Sequence, residues 1–255
     1  MPVRMDDVLL ITGSSGIAEA TALLAGQEGC RVFIAGIDEP QCRGLSARIE
    51  GSGYFAGDLR EPSAAEAAVS GCLKHFGRLD ALFNVAGASG QRFGDGPVHE
   101  CTVEGWEKTL EANARPTFLM CRAVVRHWLE AGRGGAILNM ASVLAFSPES
   151  AHFATHAYAA SKGAIISMSR AMAAHYAPNG IRVNVIAPAL VKTPMSARAQ
   201  ADEEVVNFIR QKQPLSGGLL EATDIAQTAV FLLSDRSRHV TGQVLAVDGG
   251  WSFSG

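Results

Sequence analysis

Seven short apolar runs, at 8–11, 32–35, 54–56, 79–85, 136–140, 181–187 and 244–247, constrain the fold of this chain more than any other feature. They are rich in β-branched residues, with 54–56 the weakest of the set. They are also continuous rather than alternating, which marks strands covered on both faces. Between them, 16–28, 40–50, 62–76, 103–130, 155–177 and 222–234 have helical periodicity or helix-forming composition. Strands that alternate with helices read as βαβ units. The expected fold class is therefore α/β, a doubly wound parallel sheet of about seven strands with helices on both faces. Pro62 suits the first turn of its helix, and Pro178 with Gly180 stops another.

A chain of 255 residues with 47% hydrophobic content can bury one large core, and no repeat, low-complexity tract or linker divides it. One domain over 1–255 is expected. The least regular stretches are 88–101 and 189–220, and the second is expected to be a substrate loop or lid. A net charge of −3 with dispersed charges offers no basic stripe to nucleic acid. The leading "MPVRMDDVLLITG" has too short an apolar run for a signal peptide, and no segment approaches a membrane span, so a cytoplasmic protein is expected. Cys30, Cys42, Cys72, Cys101 and Cys121 form no C-x-x-C pair and read as free packing thiols, with no metal site.

The first strand runs straight into "TGSSGIA" (12–18) and then a helix. Such a turn aims backbone N–H groups and a positive helix end at a pyrophosphate. Gly13 allows the sharp turn, Gly16 allows close backbone approach, and Ser14 and Ser15 offer hydroxyls. The second strand ends in "FIAGIDEP", where a carboxylate selects NAD by bonding ribose hydroxyls and repelling a 2′-phosphate. Asp38 supplies that carboxylate, and neither Ser15 nor Ile37 is basic. The cofactor expected is NAD or NADP, with NAD favoured.

Tyr158 and Lys162 stand four apart in a helical segment, on one face. A free phenol titrates near pH 10, too high for a ready base. A cation about 4 Å away contributes roughly 4 kcal/mol at an effective dielectric near 20, which lowers that pKa by about 3 before desolvation. Ser142 follows the strand "AILNM", with its hydroxyl at the carboxyl edge where open α/β sheets bind ligands. Asn113 lies in the long helix before it, and Pro116 frees a carbonyl nearby.

In this order and spacing, Asn113, Ser142, Tyr158 and Lys162 resemble the tetrad of the short-chain dehydrogenases/reductases, with the YxxxK motif intact. The resemblance runs from "TGSSG" to "VDGGW". It implies a Rossmann-type fold and hydride transfer between NAD(P) and an alcohol or ketone. By it, Tyr158 is the acid/base, Ser142 stabilises the substrate oxygen, Lys162 holds the nicotinamide ribose, and Asn113 positions a proton-relaying water. The turn departs from the family's TGxxxGxG: it is one residue shorter, and Ala18 replaces the third Gly. The family's acidic position after the second strand falls on Gly36. The resemblance also assigns cofactor contacts to Ile17, to Asp58 and Leu59 in "GDLR", and to Asn84, Ala86 and Gly87 in "NVAG". In "APALVKTPM" it assigns them to Pro188, Val191 and Thr193.

Phe93, Leu144, Phe146, His152 and Met195 are candidates for the substrate pocket, and 196–213 has the periodicity of a helical lid. The substrate expected is a small-molecule alcohol or ketone. A homo-oligomer, tetramer or dimer, is implied by the resemblance. Small residues beside Tyr158 (Ala159, Ala160, Gly163, Ala164) agree with that, as does the apolar surface of Trp251 and Phe253. Two other classes stand against this reading. A catalytically idle dinucleotide sensor or scaffold has no use for a Tyr–Lys pair facing a Ser, and a sugar-nucleotide epimerase would need a longer substrate domain.

Overall fold

A computed structural model describes residues 7–254. Residues 1–6 of the leading segment read as carrying no targeting signal lie outside the described residues. Seven parallel strands form one sheet: β1 (Val8–Thr12), β2 (Arg31–Gly36), β3 (Gly53–Ala56), β4 (Ala81–Asn84), β5 (Gly135–Met140), β6 (Ile181–Pro188) and β7 (Val244–Val247). Their order is β3-β2-β1-β4-β5-β6-β7. The sequence reverses direction between β1 and β4, and at such a switch point the loops leaving the two strands diverge and open a crevice. Register is fixed there by Thr12, opposite Ala35 on one side and Asn84 on the other.

The helices are α1 (Ile17–Gln27), α2 (Glu39–Ser46), α3 (Pro62–Phe76), α4 (Val103–Glu130), α5 (His156–Tyr176), α6 (Ala197–Gln200), α7 (Glu203–Lys212) and α8 (Ala222–Leu233). Alternate residues of one strand serve opposite cores. Leu9 and Ile11 pack with α1, α2 and α8, while Val8 and Leu10 pack with α3, α4 and α5. This explains why the strands read as unbroken apolar runs. All five cysteines are free, and Cys42, Cys72 and Cys121 are buried in these cores. No helix of the described residues is long and apolar enough to cross a membrane.

The expected boundaries shift where local chemistry intervenes. Pro62 stands in the first turn of α3, and α5 ends at Tyr176 before a 3₁₀ turn closed by Gly180 at φ 72°. The second helix stops at Ser46 instead of continuing to 50. The helical stretch at 196–213 is broken in two, because Asp202 leaves the helix to cap α7 through the N–H groups of Glu204 and Val205. Trp251 corrects another expectation: it is buried within its own chain against Phe153 and Phe208, while Phe253 is 95% exposed.

The α4 side of the core hangs on Trp128, which is fully buried and donates its indole N–H to the Leu79 carbonyl at 2.8 Å. Trp128→Ala removes that packing far from the crevice. It is expected to lower the unfolding free energy by about 3–5 kcal/mol in urea melts.

Candidate active site

The carboxyl ends of β1, β4, β5 and β6 surround a cavity of about 280 Å³. Each strand delivers a different part of it. After β1 come Gly13, Ser14, Ser15, Gly16 and Ile17, all lining the cavity. Gly13 and Gly16 take φ of 97° and 57°, a backbone that side chains oppose. A Cβ on Gly16 would also stand 3.0 Å from Thr193. The shortened turn is thus closed on its far side by the segment after β6. α1 begins at this turn with no side-chain cap, which leaves its first-turn amides available to an anion. These residues fit the pyrophosphate of a dinucleotide.

After β4, Ala86 and Gly87 line the floor. They are held by Thr12, whose hydroxyl accepts from both Val85 N and Ala86 N at 3.0 and 3.1 Å. The sequence reading missed this tie, because Thr12 meets that loop only through sheet register. Asn84 does not line the cavity: its amide donates to Asn139 at 2.8 Å, a buried rung between β4 and β5.

Asn113 is fully buried on α4 and reaches the same loop from beneath. It accepts from Ala88 N at 3.2 Å and donates to Ala88 O at 3.0 Å. A Cβ on Gly87 would lie 2.6 Å from its Oδ1 and 3.6 Å from Lys162 Nζ, so the turn brings Asn113 and Lys162 to either side of one glycine. α4 runs on through Pro116, and the Asn113 carbonyl accepts the Thr117 hydroxyl at 3.0 Å.

After β5 comes Ser142, 7% exposed, whose hydroxyl accepts from Leu144 N at 3.2 Å and also hydrogen-bonds Tyr158. Tyr158 and Lys162 enter from the first turns of α5, with Nζ 5.4 Å from the phenol ring centre. Lys162 is 3% exposed and donates to the Met140 carbonyl at 3.1 Å. Ser142, Tyr158 and Lys162 therefore meet in one cavity, with Asn113 one layer below.

The electrostatics correct the expectation of a phenol acidified by its neighbour. Burial pushes the Tyr158 phenol up to about 12, with the Ser142 hydrogen bond pulling the other way. Burial likewise draws the Lys162 ammonium down to about 8. Desolvation penalises both charged forms; the spacing of the two residues gives the size of their attraction but not of this penalty, which is the larger.

After β6, Pro188, Val191 and Thr193 line the cavity. Their loop is tied down by Gln213, fully buried, which accepts from Leu190 N at 2.8 Å and donates to Leu190 O at 3.1 Å. No sequence signal marked Gln213. Of the expected pocket residues, Leu144 and Met195 line the cavity. Phe93, Phe146 and His152 do not; the His152 ring lies against Phe208 at 4.9 Å. Phe153 and Trp251 form apolar wall in their place, and Arg198 and Gln91 add polar groups.

At the end of β2 the carboxylate of Asp38 accepts from Gln41 N at 3.0 Å and Gln41 Nε2 at 2.9 Å, capping α2. Gln41 in turn receives the Ser14 hydroxyl at 3.4 Å, which links the cap to the phosphate turn. A Cβ at Gly36 would meet Cys42 Sγ at 2.9 Å, so an acidic residue there would require Cys42 to move aside. Asp58 is clamped by Arg60, whose guanidinium holds its carboxyl below the usual range. Leu59 is buried against α3. None of these three acidic or apolar side chains lines the cavity.

The family model described as enoyl-(acyl carrier protein) reductase matches residues 11–252. D-Threitol dehydrogenase of Mycolicibacterium smegmatis is 35% identical over 256 residues, covering 98% of this chain and 95% of that protein. A short-chain type dehydrogenase/reductase from Mycobacterium ulcerans superposes with a TM-score of 0.89 at 28% identity, over 97% of this chain and 90% of that one. The 3-ketoacyl-(acyl-carrier-protein) reductase from Brucella melitensis, solved with NADH, does so with a TM-score of 0.85 at 29% identity, over 97% and 98%. With a matching family model, a matching fold and an alcohol-type dehydrogenase as a full-length relative, the chain belongs to the short-chain dehydrogenases/reductases, NAD(P)-dependent oxidoreductases of alcohols and ketones.

Proposed function

We propose that this chain moves a hydride between NAD and the carbon of a small secondary alcohol or ketone, with Tyr158 as the acid/base. The observation that carries the reading is the convergence of the Tyr158 phenol, the Ser142 hydroxyl and the Lys162 ammonium in one cavity beside the phosphate turn. Bound in the cleft, the nicotinamide supplies or accepts the hydride and, when oxidised, adds a positive charge beside the phenol.

In reduction, Tyr158 gives its proton to the carbonyl oxygen; in oxidation it takes one from the hydroxyl. Ser142 donates a hydrogen bond to the same oxygen and so stabilises charge that develops there. Lys162 brings its positive charge to the cavity, which favours phenolate over phenol. At neutral pH it remains largely protonated, since about 8 is still above 7. Asn113 keeps the backbone at Gly87 and Ala88 against Lys162, the side from which we infer that protons reach the ammonium through a held water.

Asp38 supports NAD over NADP, because its charge at the end of β2 opposes a 2′-phosphate and neither Ser15 nor Ile37 is basic. Asp58, Leu59 and Asn84 are assigned to the cofactor side on the family pattern alone. The working unit is one cytoplasmic domain with 189–220 as the substrate lid. Exposed Val103, Trp106 and Phe118 along α4 support a homo-oligomer.

Tyr158→Phe should lose at least about 10²-fold in turnover while keeping NADH affinity; undiminished turnover in a panel of alcohols and ketones followed by nicotinamide absorbance rejects the role. Fluorescence titration should find NADH bound more tightly than NADPH, and the reverse order rejects the reading of Asp38. Without cofactor, the phenolate is the disfavoured form, so the pH difference spectrum of wild type minus Tyr158→Phe should show no tyrosinate band below about pH 10. A band growing in near pH 7 would mean that attraction to Lys162 outweighs burial.

A further inference from the structure

The helix that carries Tyr158 and Lys162 opens without a cap of its own. Thr155 stands at the capping position, yet its side chain makes no capping bond; its hydroxyl instead points to the Phe153 carbonyl at 3.4 Å. The orphan amides of the first turn are met from the loop after β4. His156 N donates to the Gly96 carbonyl at 3.2 Å. Ala157 N donates to Asp95 Oδ1 at 2.8 Å, and Tyr158 N donates to Asp95 Oδ2 at 2.9 Å. Asp95 thus does what a local Ser or Asp does at most helix starts, from 63 residues away in the chain.

The carboxylate is itself held from the other side. Asp95 is only 9% exposed, and its N–H donates to the Gly90 carbonyl at 3.2 Å. A Cβ on Gly90 would lie 2.5 Å from both Asp95 Oδ2 and Thr109 Oγ1, so the loop is pressed between the carboxylate and α4. Thr109 lies one turn before Asn113, and its carbonyl accepts the Asn113 amide at 2.8 Å. One continuous set of contacts therefore runs from Asn113 through the loop at 88–96 to the backbone of Tyr158.

We propose that Asp95 is a positioning residue for the acid/base tyrosine: by clamping the N–H groups of Ala157 and Tyr158 it sets where the phenol stands against Ser142 and Lys162. The proposal rests on the assignment of Tyr158 made above. Two parallel N–H···O⁻ bonds fix the first turn of α5 in rotation as well as position, and a charged acceptor at a helix N-terminus is favoured by the helix dipole. Asparagine offers one acceptor oxygen, so it leaves one of the two amides facing an NH₂ group.

Two measurements test this. In the unaltered protein, hydrogen exchange should find the amides of Ala157 and Tyr158 protected like those of the helix interior; exchange at the rate of an open first turn overturns the clamp. Asp95→Asn should then lower kcat by about 10- to 100-fold, as expected when a reacting group is misplaced by a fraction of an ångström to an ångström. NADH affinity by fluorescence should stay within about 2-fold, because only the step in which the phenol acts is impaired. Asp95→Glu keeps both oxygens, displaced by one methylene, and should fall between the wild type and Asp95→Asn; it takes the place of Asp95→Asn if that variant does not fold. An unchanged kcat, or a kcat that falls only together with NADH binding, overturns the proposal. Tyr158→Phe measured alongside separates the two ideas. If it loses turnover and Asp95→Asn does not, the positioning role alone is wrong; if neither loses turnover, the role of Tyr158 is wrong.

Discussion

The crevice depends on keeping one ammonium inside protein with no carboxylate of the described residues paired to it. Lys162 is almost fully buried, and it donates to the Met140 carbonyl, at the end of a central strand. A carbonyl dipole stands where a counter-ion could, and burial draws the lysine down to about 8. An acidic partner would neutralise the field that the Tyr158 phenol has to feel. The arrangement leaves the phenol costly to ionise on its own, and a nicotinamide held by the turn after β1 and the loop after β6 would add its charge to that of Lys162.

That arrangement is possible because of the sheet. Strand order reverses between β1 and β4, which opens a crevice, and residues following β1, β4, β5 and β6 line it. Each loop is pinned by a group from a different element. The Thr12 hydroxyl holds the loop after β4, Asn113 holds the same loop from α4, and Gln213 holds the segment after β6. The pins are hydrogen bonds to backbone, which fix position without introducing charge. Asp95 extends the pattern to the start of α5, where the amides of a helix end make a carboxylate the better acceptor.

Much of this was legible in the sequence. The unbroken apolar runs require strands covered on both faces, and alternate residues of β1 do serve two cores. The spacing of Tyr158 and Lys162 needs only the pitch of a helix to put them on one face, and "TGSSG" needs only a strand before it and a helix after it to become a phosphate turn. Less legible was the pocket wall. His152 was expected in the lining and lies tilted against Phe208 instead, whereas Phe153, its neighbour in sequence, and Trp251 from the far end of the chain form the apolar wall. Asp38 was read as a cofactor carboxylate, and its oxygens also cap α2 through Gln41, a residue that carried no signal.

Periodicity and local spacing are properties of consecutive residues, so the sequence by itself determined the element types, the shared face of the Tyr–Lys pair and the glycine turn. Burial and long-range capping depend on which surfaces meet, and only the tertiary structure decided them. It turned the expected acid phenol into one that burial holds near 12, and it put Asp95 at the head of the helix that carries it. Attraction between neighbours in a helix can be read from a spacing, but the loss of water around them requires the whole fold.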